Sequence, residues 1–559
     1  MSGAGLRSSD LSLVIRNALI VDGTGKSAFR GDVGVAGDRI VAVGQVSARG
    51  AEEIDAAGKV LAPGFIDVHT HYDPQFCWDK LATPTPEHGV TSLIMGNCSV
   101  SLAPVAPDAK DMMIGWFSSV EDMDAGLLSQ NVSFAWETSA EYLKELRQGL
   151  GPNVGAFVGH AAIRAYLMGP ASQQRAATAD EVAAMVGILR DALQAGSFGL
   201  SFTYNHLDHH GQELPCVYAD RAELAALLKE VARQDRMVEV SPDFRAGADT
   251  IKYFDLFGEL SLETGCRVTV SPILVIGGKD GAWKDRLARL EYWRDKGAKI
   301  FGQTQVRPLD MTINLGQGAV LFGKTPLWRS FMDQSIDGKI AMLENPADRA
   351  TLVDEADSFA ATIAKLVVQE VVAEANRPYV GYTLKALADG EGRRIGDVLI
   401  DIVRADRLET TFTLTGVVHA NPKHVIQLLD HPYMHIGSAD AGAHITVFSG
   451  AGDTCYLFEK YVREEGLMTL ERAVQRLTSD IARDWKLTDR GEIAPGKFAD
   501  LVLFDLDKIG REPETWVNDL PGGGGRYVRS ARGIDKVVVN GQILVDDGHY
   551  TQVRAGQLL

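Results

Sequence analysis

The stretch PGFIDVHTH, residues 63–71, decides how the rest of the chain is read. It is an apolar run that ends in two histidines, His69 and His71, one residue apart. On a β-strand, side chains two apart point to one side, roughly 6–7 Å from each other, so two such imidazoles can share a metal ion. The plain alternative is a histidine pair that decorates a strand end. The surroundings favour the first reading: a β-rich segment lies just before, Cys98 and Asp440 follow other apolar runs, and a second β-rich segment lies near the C-terminus.

Upstream, the text LSLVIRNALIVDGTG, GDVGVAGDRIVAVG and AEEIDAAGKVLA gives short alternating strands broken by Asp-Gly, Gly-Asp and Ala-Gly turns, which is the pattern of a small antiparallel sheet. Such a sheet cannot bury both faces alone. A matching set, KFADLVLFDL and GIDKVVVNGQILVDDGHY, follows residue 490, so residues 11–62 plus 490–555 are expected to form one β-sandwich domain. Between them strand-like runs alternate with helix-like ones: FIDVHTH, VTSLIMGN, NVGAFVGH, SFGLSFT, MVEVSP, RVTVSPIL, KIFGQTQV and YMHIGSAD. Alternation of this kind argues for βα units and a parallel sheet, and eight runs predict an α/β fold, a (β/α)8 barrel over residues 63–485. Thr178 with Glu181, and Asp220 with Glu223, predict capping boxes, with Gly196 as the stop of the first helix. The apolar residues that follow each cap are assigned to packing against the barrel wall. Residues 308–430, which contain DRATLVDEADSFAATIAKLVVQEVV, are too long for a loop. They predict a helical lid or subdomain inserted before the last barrel strand.

A chain of 559 residues, 45% hydrophobic and 23% charged, has an ordinary globular composition with ample core. A formal charge of −18, from 56 basic and 74 acidic residues, argues against nucleic acid or an anionic membrane as partner. A small-molecule substrate, with or without further copies of the chain, is the expected company. No basic segment followed by an apolar one opens the sequence, and no run of about 18 apolar residues occurs, so a cytoplasmic protein is expected. Cys77, Cys98, Cys216, Cys266 and Cys455 are odd in number and scattered, which suits thiols in a reducing compartment.

In barrel enzymes functional residues gather at the C-terminal ends of the strands. His69 and His71 end the first run, Cys98 follows the second, His160 ends the third and Asp440 ends the eighth, so these residues can converge. A borderline metal such as zinc accepts imidazole nitrogen, thiolate and carboxylate alike. It activates water at neutral pH and polarises a scissile carbonyl. A carboxylate beside it can take the water's proton and pass it to a departing nitrogen.

PGFIDVHTHYD, HGVTSLIMGNCSVSLAPV, VGHAAIRAYLMG, MHIGSADAGAH and GEIAPGKFADLVLFD together span nearly the whole chain. On these motifs the chain resembles the amidohydrolase superfamily and, within it, the N-acyl-D-amino-acid deacylase (D-aminoacylase) branch. The resemblance implies a barrel with a β-sandwich closed from both termini and an insertion before the last strand. It implies His69, His71, Cys98 and Asp440 as metal ligands, with Asp440 also the general base. Zinc is the implied ion, one per chain, with a second, weaker site left open.

The chain also departs from that branch, which usually carries a histidine at the end of the fifth strand and another at the end of the sixth. Ser241 and Pro272 stand there instead. Glu239, two residues before Ser241, can partly compensate or be an interior charge paired elsewhere. TYNHLDHHGQ offers His206, His209 and His210 as replacement ligands or substrate contacts, or as a solvated loop. Arg164, near His160 in VGHAAIR, is open to a substrate carboxylate or to a structural ion pair, and Arg307 in QVRP is a weaker case of the same kind. His444 and Glu239 are expected beside the ligands. The reading is a metal-dependent hydrolase of a linear C–N amide bond in an N-acyl amino acid. Its rivals are an ester or lactone hydrolase, a metal-assisted C–C cleavage on the same barrel, and a barrel that binds a small molecule without turnover.

Overall fold

The computed structural model describes residues 11–208, 210–245, 247–277, 281–316, 322 and 325–559. Eight parallel strands form its central sheet: β1 (Phe65–Asp67), β2 (Val90–Met95), β3 (Asn153–Gly159), β4 (Gly199–Thr203), β5 (Met237–Ser241), β6 (Arg267–Val270), β7 (Ile300–Thr304) and β8 (Met434–Ile436). Each strand pairs with the next in this series. The ring is nearly closed, because Thr70 just past β1 bridges Ala441 just past β8, and the His71 N–H donates to the Ala441 carbonyl at 2.8 Å. All eight runs expected from the sequence are strands of this barrel.

Alternation along the strands sorts the side chains. On β5, Val238 and Val240 pack outward into the main core shared with the helices, whereas Met237 packs inward with Phe157, Phe198 and Trp485. Glu239, of the same parity as Met237, is therefore an inward carboxylate, fully buried. The helices over the wall begin where their caps predict. Thr178 and Glu181 make a reciprocal capping box at Ala179–Ala195, and Gly196 ends that helix with φ 113°. At Arg221–Arg233 the Asp220 side chain accepts from the Glu223 N–H, but the box is only half made. The Glu223 carboxylate is committed elsewhere, as described below.

Both ends of the chain enter one nine-stranded sheet. Its seam is Val60–Pro63, which runs parallel to Leu11–Ile20 and antiparallel to Leu501–Phe504, with Leu61 opposite Leu503. Leu13, Ile15, Ile20, Val33, Leu61, Leu501, Leu503 and Val538 form the core of this layer. The seam strand leads straight into β1 through Gly64, where an added Cβ would lie 2.1 Å from Thr91 Oγ1. A buried polar knot ties this layer to the barrel: Asp500 accepts from Arg490, from the Asn153 side chain at 3.1 Å and from the Asn540 N–H at 2.8 Å. Removing one partner of a buried ion pair costs about 3–5 kcal/mol. Arg490→Ala is therefore expected to lose stability on that scale in urea unfolding, and an unchanged midpoint would show that the knot contributes nothing.

Between β7 and β8 the chain builds a separate apolar core around Phe322, Trp328, Leu352, Leu399 and Phe412. Most of it is helical, but the Val-rich run expected to extend the helix Pro346–Ser358 becomes the strand Val367–Glu370, paired with Thr411–Leu414. A run of β-branched residues fits a pleated surface better than a helix. Among the described residues no helix is long and apolar enough to cross a membrane.

Candidate metal centre and active site

His69 and His71 lie on the extension of β1, with ring centroids 5.2 Å apart. Cys98 lies past β2 in a left-handed turn, φ 52°, followed by Ser99 at φ 65°. Ligand atoms of His69, His71 and Cys98 all fall within 4.8 Å of one another. Asp440, past β8 and also left-handed at φ 55°, places Oδ1 3.3 Å from His69 Nε2 and 3.7 Å from His71 Nε2. Cys98 Sγ is 3.6 Å from His69 Nε2. The two histidines are almost fully buried, whereas the Asp440 side chain is 30% exposed. The Asp440 side chain is therefore within reach of solvent, while the two imidazoles are not.

Burial decides the protonation of this group. Loss of solvent pulls His69 down to about 4 and His71 down to about 3, so at neutral pH both carry a free nitrogen lone pair. Burial, with Glu239, Glu121 and Asp440 nearby, holds the Cys98 thiol well above its ordinary value. Two neutral imidazoles, a sulfur and a carboxylate fit a borderline cation such as zinc. A cation also answers the otherwise unfavourable crowding of these carboxyl groups.

Supporting contacts fix each ligand's orientation. His69 Nδ1 meets Ser271 Oγ at 3.0 Å, and Ser271 meets Ser438 Oγ at 2.6 Å. His71 Nδ1 lies 3.2 Å from Glu121 Oε1, and both atoms are buried without another partner. Glu239 Oε2 accepts the Cys98 N–H at 3.0 Å, and burial raises that carboxyl well above the usual range. Ser241 bonds the Cys98 sulfur, and Pro272 offers no ligand of its own, but Ser271 just before it reaches His69. Glu121 and Ser271 were not legible beforehand, since neither lies in a motif. Replacing the partner of a ligand's second nitrogen costs metal affinity about 10–100-fold. Glu121→Gln is expected to weaken zinc binding on that scale in a competition titration against a chromophoric chelator, and equal affinity would remove Glu121 from the site.

The remaining expected residues are placed as follows. His444, left-handed at φ 52°, donates its N–H to the Glu121 carbonyl at 2.7 Å, and burial lowers its imidazole to about 4 with Asp440 and His71 as neighbours. His206 turns toward the same group, held by Thr203 Oγ1 at 2.8 Å, and desolvation lowers it to about 3. His210 is exposed beyond it, and His209 lies outside the described residues. Arg164 and His160 face inward: the fully buried guanidinium pairs with Glu223 and donates to the Arg175 carbonyl at 2.7 Å, and His160 meets Glu223 at 2.7 Å. Arg307 is likewise committed, to Asp453 at 2.5 Å and to the Ala439 carbonyl at 3.0 Å. Neither guanidinium offers a free fork to a substrate carboxylate. Arg307 instead steadies the turn that carries Asp440.

Comparisons with known proteins agree with this fold. The chain is 28% identical to N-acyl-D-glutamate deacylase of Alcaligenes xylosoxydans xylosoxydans over 539 residues, covering 95% of this chain and 93% of that one. Its structure is similar to that of N-acyl-D-glutamate deacylase from Bordetella bronchiseptica complexed with zinc and a phosphonate inhibitor, a mimic of the reaction's tetrahedral intermediate. That match has a TM-score of 0.67 at 26% identity and covers 98% and 99% of the two chains. It is also similar to D-aminoacylase, described as having a binuclear metal centre with one-metal activation and second-metal attenuation, at TM-score 0.66 and 25% identity, again over 98% and 99%. Residues 52–545 match the amidohydrolase family. With that match added to a near-closed barrel, a sheet made from both chain ends and a paired-histidine site at the strand ends, the chain belongs to the amidohydrolase family.

Proposed function

We propose that this protein is a metal-dependent hydrolase of a linear amide C–N bond, a deacylase of N-acyl amino acids of the D series. The observation that carries the reading is the convergence of His69, His71, Cys98 and the part-exposed Asp440 at the barrel mouth. These four would hold one zinc ion. When bound, it would supply Lewis-acid activation of water and of the scissile carbonyl. Ser241 and Pro272, in place of further imidazoles, favour one ion over two.

Asp440 accepts the attacking water's proton and returns it to the leaving nitrogen, so the amide ends as a carboxylate and an amine. Glu239 and Ser271 keep Cys98 and His69 in place while this happens. The D preference and the acyl-amino-acid class rest on the resemblance to the two deacylases above. The test is a panel of N-acetyl D-amino acids, their L enantiomers and the matching esters. Release of free D-amino acid, abolished by chelation, is expected. Turnover of esters with none of the amides would contradict the reading.

A further inference from the structure

Behind the Cys98 turn lies a buried cluster that the proposed chemistry does not use. Cys216, fully buried, follows β4 in the short turn Pro215–Tyr218. Its sulfur meets His160 Nδ1 at 3.3 Å, Ser99 Oγ at 3.0 Å and the backbone N–H of Thr203. Ser99 Oγ accepts the Ala161 N–H at 2.9 Å, which leaves its own proton available to the sulfur. The other nitrogen of His160 lies 2.7 Å from Glu223 Oε1, and the second oxygen of Glu223 is taken by Arg164.

A sulfur facing the Thr203 N–H, the Ser99 hydroxyl and His160 Nδ1 suits a thiolate acceptor, and an imidazole between thiolate and carboxylate is held doubly protonated. Cys216 and Glu223 balance His160 and Arg164, so no net charge is buried. Burial alone would raise Cys216, yet His160 and Ser99 outweigh it and hold the thiol below its ordinary value. Burial alone would lower His160, yet Cys216 and Glu223 carry it up to about 9.

Ser99 is the link to the ligand. Cys98 and Ser99 are consecutive non-glycine residues in the left-handed region, a strained conformation that persists only where the surroundings impose it. The surroundings do so here. The Ser99 N–H donates to Ser201 Oγ at 3.1 Å, and its carbonyl sits where a Cβ on Gly159 would lie 2.0 Å away. The Ser99 hydroxyl is then locked between Ala161 and Cys216. We propose that Cys216 is a positioning residue: as a thiolate paired with His160, it anchors Ser99 and thereby the left-handed turn that presents Cys98.

The role toward metal rests on the reading of Cys98 as a ligand, but the buried thiolate does not, and the experiment separates the two. Ultraviolet thiolate absorption of the metal-free protein at neutral pH should show one thiolate, lost in Cys216→Ser and kept in Cys98→Ser. Zinc competition should then show Cys216→Ala weakened about 10–100-fold, as for a lost ligand support, with Cys216→Ser, which still accepts hydrogen bonds, weakened less. A wild-type spectrum without thiolate overturns the proposal, and it needs no variant to fold. Unchanged absorption in Cys216→Ser, or wild-type zinc affinity in Cys216→Ala, overturns it too. A wild-type protein that shows the thiolate and binds no zinc would instead defeat the metal reading and the anchoring role with it.

Discussion

Asp440→Asn is expected to lower turnover by about 10²–10⁴-fold, the usual worth of general-base assistance, while the metal content changes far less. The amide keeps the shape of the side chain and an oxygen near His69 Nε2 and His71 Nε2, which lie 3.3 and 3.7 Å from the present Oδ1. It cannot accept the proton. The left-handed backbone at position 440 is also one that asparagine tolerates, so the turn held by Arg307 should survive. Turnover and metal content should be measured on one preparation, with circular dichroism to confirm the fold. Turnover within a factor of about two of wild type would remove Asp440 from the mechanism.

Replacing the paired imidazoles acts one step earlier. In His69→Ala and His71→Ala a ligand is lost outright, so zinc affinity should fall by more than the roughly 10–100-fold expected for a ligand's support. Hydrolysis should fall to background with it. Both rings are neutral at neutral pH, held down to about 4 and about 3 by burial, so their removal leaves no unpaired charge inside. The variants should therefore stay folded, which makes lost metal interpretable. Either one retaining wild-type zinc affinity would show that the ion, if bound, lies elsewhere.

The barrel was legible because its signal is repeated. Eight apolar runs, each followed by helix punctuation, leave few other arrangements, and Val60–Pro63 pairing with both termini follows from turn-rich strands that cannot close a core alone. The convergence of His69, His71, Cys98 and Asp440 was legible for a related reason: HTH, GNC and GSAD each stand at a strand's C-terminal end. What could not be read is where side chains go once long-range packing decides. Glu223 reads as half of a capping box, yet its carboxylate is drawn into the interior by His160 and Arg164. Arg164 and Arg307 read as forks for a substrate carboxylate, but Glu223 and Asp453 take them. Glu121, 50 positions from His71 in sequence, gives no local hint that the two meet at 3.2 Å. Such contacts depend on how loops after different strands converge, and the spacing of one loop does not encode the position of another.

The most direct test of the account is elemental analysis of the purified protein paired with an assay on an N-acyl-D-amino acid. The account predicts about one zinc per chain, loss of hydrolysis when a chelator strips it, and recovery when zinc is restored. Only a trace of metal, with hydrolysis indifferent to chelation, would contradict it.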